Sequence, residues 1–152
     1  MENRNNQLKE LEGIISYTFA RPQLLDKALT HRSFINENQT LDLEDNERLE
    51  FLGDAVLDLC ISDLLMRDFP DYAEGQLSKI RASIVNEPTL AELAREFRLG
   101  DFLLLGKGEE LSGGRSKNSI LSNAFEAVLA AIYLDAGFDR TLEFIKALFL
   151  PY

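Results

Sequence analysis

NERLEFLGD, residues Asn46–Asp54, opens the most informative helix of this 152-residue chain. The apolar and polar positions that follow keep a helical period as far as Asp68, and Asp45 or Asn46 is a suitable cap. At about 100° per residue, Glu47, Glu50 and Asp54 fall within a sector of roughly 60°, with Asp58 close by. Leu49, Leu52, Val56, Leu59 and Cys60 form the opposite stripe, which faces a core. Acids opposite an apolar face usually make an ordinary solvated surface. Two details argue otherwise. No basic partners stand at i+4, so the acids repel one another. In addition, Phe51 projects toward the acidic side, where a large aromatic gains nothing from water.

A second helix, from Asn118 to Ala136, has a matching pattern. Leu121, Phe125, Val128 and Ile132 form its buried stripe. Asn123 and Glu126, three residues apart, are neighbours on another side, and Ala127 and Ala130 beside them are small enough to admit a second backbone. Periodicity alone does not separate this pair from an ordinary polar face. Pairing the two helices would gather oxygens from both around divalent metal, as in di-metal carboxylate bundles. Oxygen ligands without His or Cys point to Mg²⁺ or Mn²⁺ rather than zinc.

The rest of the chain reads as an all-α single domain, without sustained strand alternation. Helices are expected over Asn5–Ile15, over Pro22–His31 with Pro22 in the first turn, over Ala73–Val85 and over Glu87–Phe97, with Gly100 marking a stop. The segments Asn36–Asp45 and Gly106–Gly114 (GKGEELSGG) are expected to be loops. Gly137 separates the Asn118–Ala136 helix from a last one ending near Phe149.

Composition is that of a globular protein, at 45% hydrophobic residues. No apolar run approaches the roughly 18 residues of a membrane span, and the polar start MENRNNQLKE lacks a signal-peptide core. No membrane association is expected. The single cysteine, Cys60, rules out an internal disulfide and fits a reducing cytoplasm. The formal net charge of −10, from 16 basic and 26 acidic residues, argues against general electrostatic attraction to nucleic acid and fits carboxylates gathered for metal.

Asn46–Leu57 (NERLEFLGDAVL) resembles the signature helix of the ribonuclease III family. Ala28–Phe34 (ALTHRSF) resembles the segment before it, Glu74–Ser78 (EGQLS) the stretch after it, and Ser119–Asp135 (SILSNAFEAVLAAIYLD) the second active-site helix. Order and spacing agree over nearly the whole chain. The resemblance implies the family's endonuclease-domain fold and a homodimer. It also implies hydrolysis of double-stranded RNA by a two-metal mechanism, in the processing of ribosomal, messenger or small RNA. The products would carry 5′-phosphate and 3′-hydroxyl ends with short 3′ overhangs. By position the family's metal-binding carboxylates fall on Glu50, Asp54 and Glu126, and the fourth on Asn123. Glu47 and Glu74 match two further acids near the scissile region, and Phe51 an aromatic knob that enters the partner subunit.

Asn123 departs from the family's usual Asp. Its amide oxygen still serves as a ligand but brings no charge, so weaker binding of one ion is expected. Bacterial members carry a separate double-stranded-RNA-binding domain after the nuclease domain. Residues 1–152 are read as the nuclease domain alone, because the chain stops at Pro151 and Tyr152. Lys107, Arg115 and Lys117 are candidate phosphate contacts, and His31 is read as a structural hydrogen-bonder. Two other readings remain open: a non-catalytic RNA-binding dimer of the same fold, supported by Asn123, and a hydrolase of small phosphorylated substrates, which leaves Phe51 unexplained.

Overall fold

The computed structural model describes residues 2–150, so the Pro151–Tyr152 end lies outside the described residues. Ten α-helices follow in order: α1 Glu2–Ile15, α2 Pro22–Ala28, α3 Arg32–Glu37, α4 Glu47–Asp68, α5 Glu74–Ile84, α6 Glu87–Glu96, α7 Leu99–Phe102, α8 Lys107–Leu111, α9 Asn118–Ala136 and α10 Phe138–Phe149. A 3-10 turn spans Gly114–Ser116. Extended pairing among the described residues is confined to one isolated parallel bridge, Thr30 with Leu104. The all-α expectation holds.

The centre of the fold is α9. Its side chains are buried on nearly all sides, from Ile120 to Ser122 and from Ala124 to Ile132, with α4, α6, α2 and α10 packed around it. By length and mean hydropathy this helix is apolar enough to cross a membrane, which corrects the expectation that no run qualifies. Two-thirds of the stretch (67%) is buried inside the domain, as befits a core helix.

The α4–α9 contact is the broadest in the fold, and Gly53 makes it possible. A Cβ at position 53 would stand 1.8 Å from the Glu126 carbonyl oxygen, so only glycine lets the two backbones come this close. Ala127 and Ala130, both fully buried, keep the α9 surface low beside it. Elsewhere Asp135, at the end of α9, accepts hydrogen bonds from Tyr17 Oη (2.6 Å), Ala20 N and Arg21 N (both 2.9 Å), tying the α1–α2 connection to the core. Cys60 is buried, and burial pushes its thiol up to about 11, leaving it unreactive.

Several boundaries differ from the expectation, each for a tertiary reason. The second helix ends at Ala28 rather than His31, because Leu29 and His31 form the bridge with Leu104 (Leu104 N to Leu29 O 2.9 Å, His31 N to Leu104 O 3.0 Å). His31 then turns extended and caps α3, which takes up Asn36 and Glu37 from the expected loop. Within GKGEELSGG, Lys107–Leu111 is helical rather than looped. The Glu37 carboxylate accepts from the Lys107 and Gly108 amides (2.8 and 3.2 Å), satisfying free donors of the first turn. Gly100 is not a stop but lies within α7. Arg98, in the left-handed region (φ 57°), ends the preceding helix. Leu59 is 57% exposed and so leaves the predicted core stripe of α4, which Leu57 and Ile61 complete instead.

Candidate active site

The start of α4 is fixed from two directions. Asn46 is the N-cap residue, and the Asp45 carboxylate before it accepts from Glu47 N at 3.0 Å. Asn46 donates from Nδ2 to Ala28 O and from its own amide to Thr30 O, both at 2.9 Å. These bonds lock the acidic turn to the α2–α3 connection and set the azimuth of Glu47, Glu50 and Asp54.

Across the Gly53 contact, Glu126 is 8% exposed. Burial, a hydrogen bond with Asp54 and the charges of Asp54, Glu50 and Asp58 push its carboxyl up to about 8. Glu126 is thus held well above the ordinary carboxylate range where it meets Asp54. Glu50 is also raised, first by burial and then by Glu47 and Asp54. Asp58 is raised by burial and Asp54, with Arg81 opposing. Carboxylates held above their ordinary range by burial and then by each other's charge form a site short of positive charge.

Asn123 stands between two clefts. One, of about 330 Å³, has Glu47, Glu50, Arg32, His31 and Lys117 in its walls. The other, of about 240 Å³, has Asp54, Glu126 and Glu87. Asn123 lines both. The structure thus brings Glu47, Glu50, Asp54, Asn123 and Glu126 to one continuous surface at the α4–α9 seam. Glu74 is not among them. It lines a separate groove with Met66 and Arg81 on the α5 side of α4.

The donor set suits a hard divalent cation: three carboxylates and an amide oxygen, with His31 in the wall of the larger cleft occupied by its bonds to Ser33. The raised values of Glu50 and Glu126 are the electrostatic counterpart of that preference. Among the described residues, however, no three His, Cys, Asp or Glu side chains already stand as a metal-binding group. The Asp54–Glu126 pair is in contact and shares its cleft with Asn123, while Glu50 lines the neighbouring one.

The candidate phosphate contacts separate. Lys117 lines the larger cleft and pairs with Glu109 at 2.6 Å. Lys107 is exposed on α8. Arg115 is occupied structurally, donating from Nη1 to Gly100 O and Leu103 O (2.9 and 2.7 Å) and from Nε to Glu110 (2.9 Å). His31 is a structural hydrogen-bonder, as expected. Its Nδ1 accepts from Ser33 N at 3.1 Å and contacts Ser33 Oγ at 2.7 Å, and burial holds the ring below its ordinary value. Its place in the cleft wall was not foreseen, nor was that of Arg32 or Glu109.

Phe51 is 83% exposed and shares its face of α4 with exposed Leu59 and Met66. Three large apolar side chains in a row on one helix face are a surface of the kind that meets another protein.

Comparison with known proteins matches residues 21–152 to the family described as Ribonuclease-III-like. This chain belongs to that family. Among its relatives is Ribonuclease 3 of Syntrophobacter fumaroxidans, 54% identical over 145 residues, covering 95% of this chain and 60% of the relative. Ribonuclease 3 of Geobacillus kaustophilus is 47% identical over 150 residues, covering 99% and 61%. The chain therefore spans about three-fifths of the length of the curated relatives it matches. The nuclease domain of ribonuclease III from Campylobacter jejuni superposes with a TM-score of 0.84 at 45% identity, covering 94% of this chain and 99% of that one. That structure is described as showing flexibility in a region involved in dimer formation.

Proposed function

We propose that this chain is the nuclease domain of an endoribonuclease that cuts double-stranded RNA, working as a homodimer in the cytoplasm. The observation that carries the reading is the Asp54–Glu126 pair across the α4–α9 seam, in a cleft whose Asn123 also lines the adjoining cleft of Glu50. Relatives named Ribonuclease 3 and the Campylobacter nuclease domain support it.

Glu50, Asp54, Asn123 and Glu126 would hold Mg²⁺, or Mn²⁺ in its place. When bound, the divalent ions supply Lewis-acid polarisation of the phosphate and charge neutralisation. The chain's own part is positioning and proton control. Glu126, held above the ordinary carboxylate range, must be deprotonated before its oxygens become full ligands. Asn123 orients by its amide oxygen and contributes no charge. Glu47, in the wall of the larger cleft, and Glu74, in its separate groove on this chain, are the two further acids assigned to the scissile region. Water adds to the phosphorus and the 3′-oxygen leaves with a proton, giving 5′-phosphate and 3′-hydroxyl ends with short 3′ overhangs. Phe51 enters the partner subunit, with Leu59 and Met66 beside it.

Incubating a long RNA duplex with the chain and Mg²⁺, then sizing the products and analysing their ends, tests this reading. Short duplexes with 5′-phosphates are expected. Duplex bound but left intact would favour the non-catalytic RNA-binding reading, for which Asn123 is the supporting residue.

A further inference from the structure

The larger cleft holds more than its acidic wall. Arg32, the first residue of α3, reaches Glu47 at 3.6 Å, with the two side chains 66% and 56% exposed. A pair that long and that solvated contributes little and exchanges easily. Lys117, another residue of its wall, pairs more tightly with Glu109, at 2.6 Å. Two cations thus face one cleft, and the Arg32 pair is the looser of the two. The floor is Ser119, Ile120 and Asn123 on the first turns of α9. That end of α9 has neither a side-chain cap nor an acidic residue in its first turn, which leaves its free amides compatible with an anion.

We propose that this cleft seats a backbone phosphate of the RNA strand next to the one cut at the Asp54–Glu126 seam, held by Arg32 and Lys117. The inference rests on the nuclease reading above and assigns it a positioning subsite. Asn123 belongs to both clefts, so a strand running across it presents consecutive phosphates to the two. Arg32 exchanges Glu47 for the phosphate on entry, and Glu47, more than half exposed, is resolvated at small cost. The walls carry Glu47, Glu50 and Glu109 as well, so the subsite discriminates by geometry rather than by a general positive field. That agrees with a chain whose net charge is −10.

Arg32→Gln and Glu47→Gln break the same ion pair, and their comparison separates a phosphate contact from a structural one. Binding of a short RNA duplex is measured without divalent metal over a range of salt concentrations. Arg32→Gln is expected to weaken binding about tenfold and to reduce the salt slope by about one. Glu47→Gln, which frees Arg32, is expected to strengthen binding. Equal effects of the two variants, or no effect of Arg32→Gln, would overturn the proposal. Cleavage by the unaltered chain is followed in parallel with Mg²⁺. If it cuts RNA while Arg32→Gln binds like the parent, the subsite fails and the nuclease reading stands. If opposite binding effects appear without cleavage, the subsite stands and the nuclease reading fails.

Discussion

The Glu126 carboxyl on α9 and the Asp54 carboxyl on α4 share a hydrogen bond across a helix contact that a single glycine keeps close. Burial and neighbouring acids raise the Glu126 carboxyl to about 8, so the seam by itself carries less charge than its carboxyl count suggests. The same arrangement ties stability to pH.

Glu126 has a folded-state value of about 8 against an ordinary 4.5. Between those values the folded chain binds more protons than the unfolded chain, so stability falls as pH rises through the window. Glu126→Gln removes this dependence. Without metal, the variant should melt with the parent near the lower limit and higher than it near pH 8, by on the order of 5 °C. Melting temperatures of both proteins across the window check this, and parallel curves would contradict it.

Gly53→Ala places a methyl group 1.8 Å from the Glu126 carbonyl oxygen. The helices must separate, at a cost of about 3 kcal/mol. Denaturant unfolding should show that loss. A change within about 0.5 kcal/mol would mean that the helices yield more readily than their packing suggests.

Phe51→Ala should act on assembly and not on the fold. The side chain is 83% exposed, so folding stability should change by less than about 0.5 kcal/mol. Light scattering at matched concentration should show the solution mass moving from dimer toward monomer. An unchanged mass would remove Phe51 from the interface.

Asn123→Asp adds a negative charge where both clefts meet. Activity should reach half its maximum at a Mg²⁺ concentration lower by about threefold to tenfold, because the added charge favours the ion. A Mg²⁺ titration of the two proteins decides the matter, and an unchanged midpoint would show that charge at this position does not limit metal binding.

Much of the fold was legible because long amphipathic helices announce themselves. The limits of α4, α9 and α10 follow from caps, Pro70 and Gly137 and lie within a residue or so of expectation. The short elements were hidden, since their signals lie far away in sequence. Helix α8 forms because Glu37, about seventy residues earlier, satisfies its first amides. Arg32 and Glu109 escaped notice for the same reason, as one stood just past an expected helix end and the other in an expected loop. The sequence alone assigns Gly53 no role, and its neighbour across the seam gives it one. Leu59 was assigned inward by period alone, although a second exposed face beside Phe51 fits the same spacing. Among the site residues, those on the two long helices line two clefts that share Asn123, while Glu74 lies apart within one chain.

The most direct test of the α4–α9 seam as the cutting centre is the single-turnover rate on an RNA duplex in saturating Mg²⁺, for the parent chain and for Glu126→Gln. The variant keeps the size and hydrogen-bonding capacity of the side chain but cannot supply a carboxylate to metal. A rate lower by at least about a hundredfold, with duplex binding retained, is the predicted result. Equal rates would contradict the assignment of the seam.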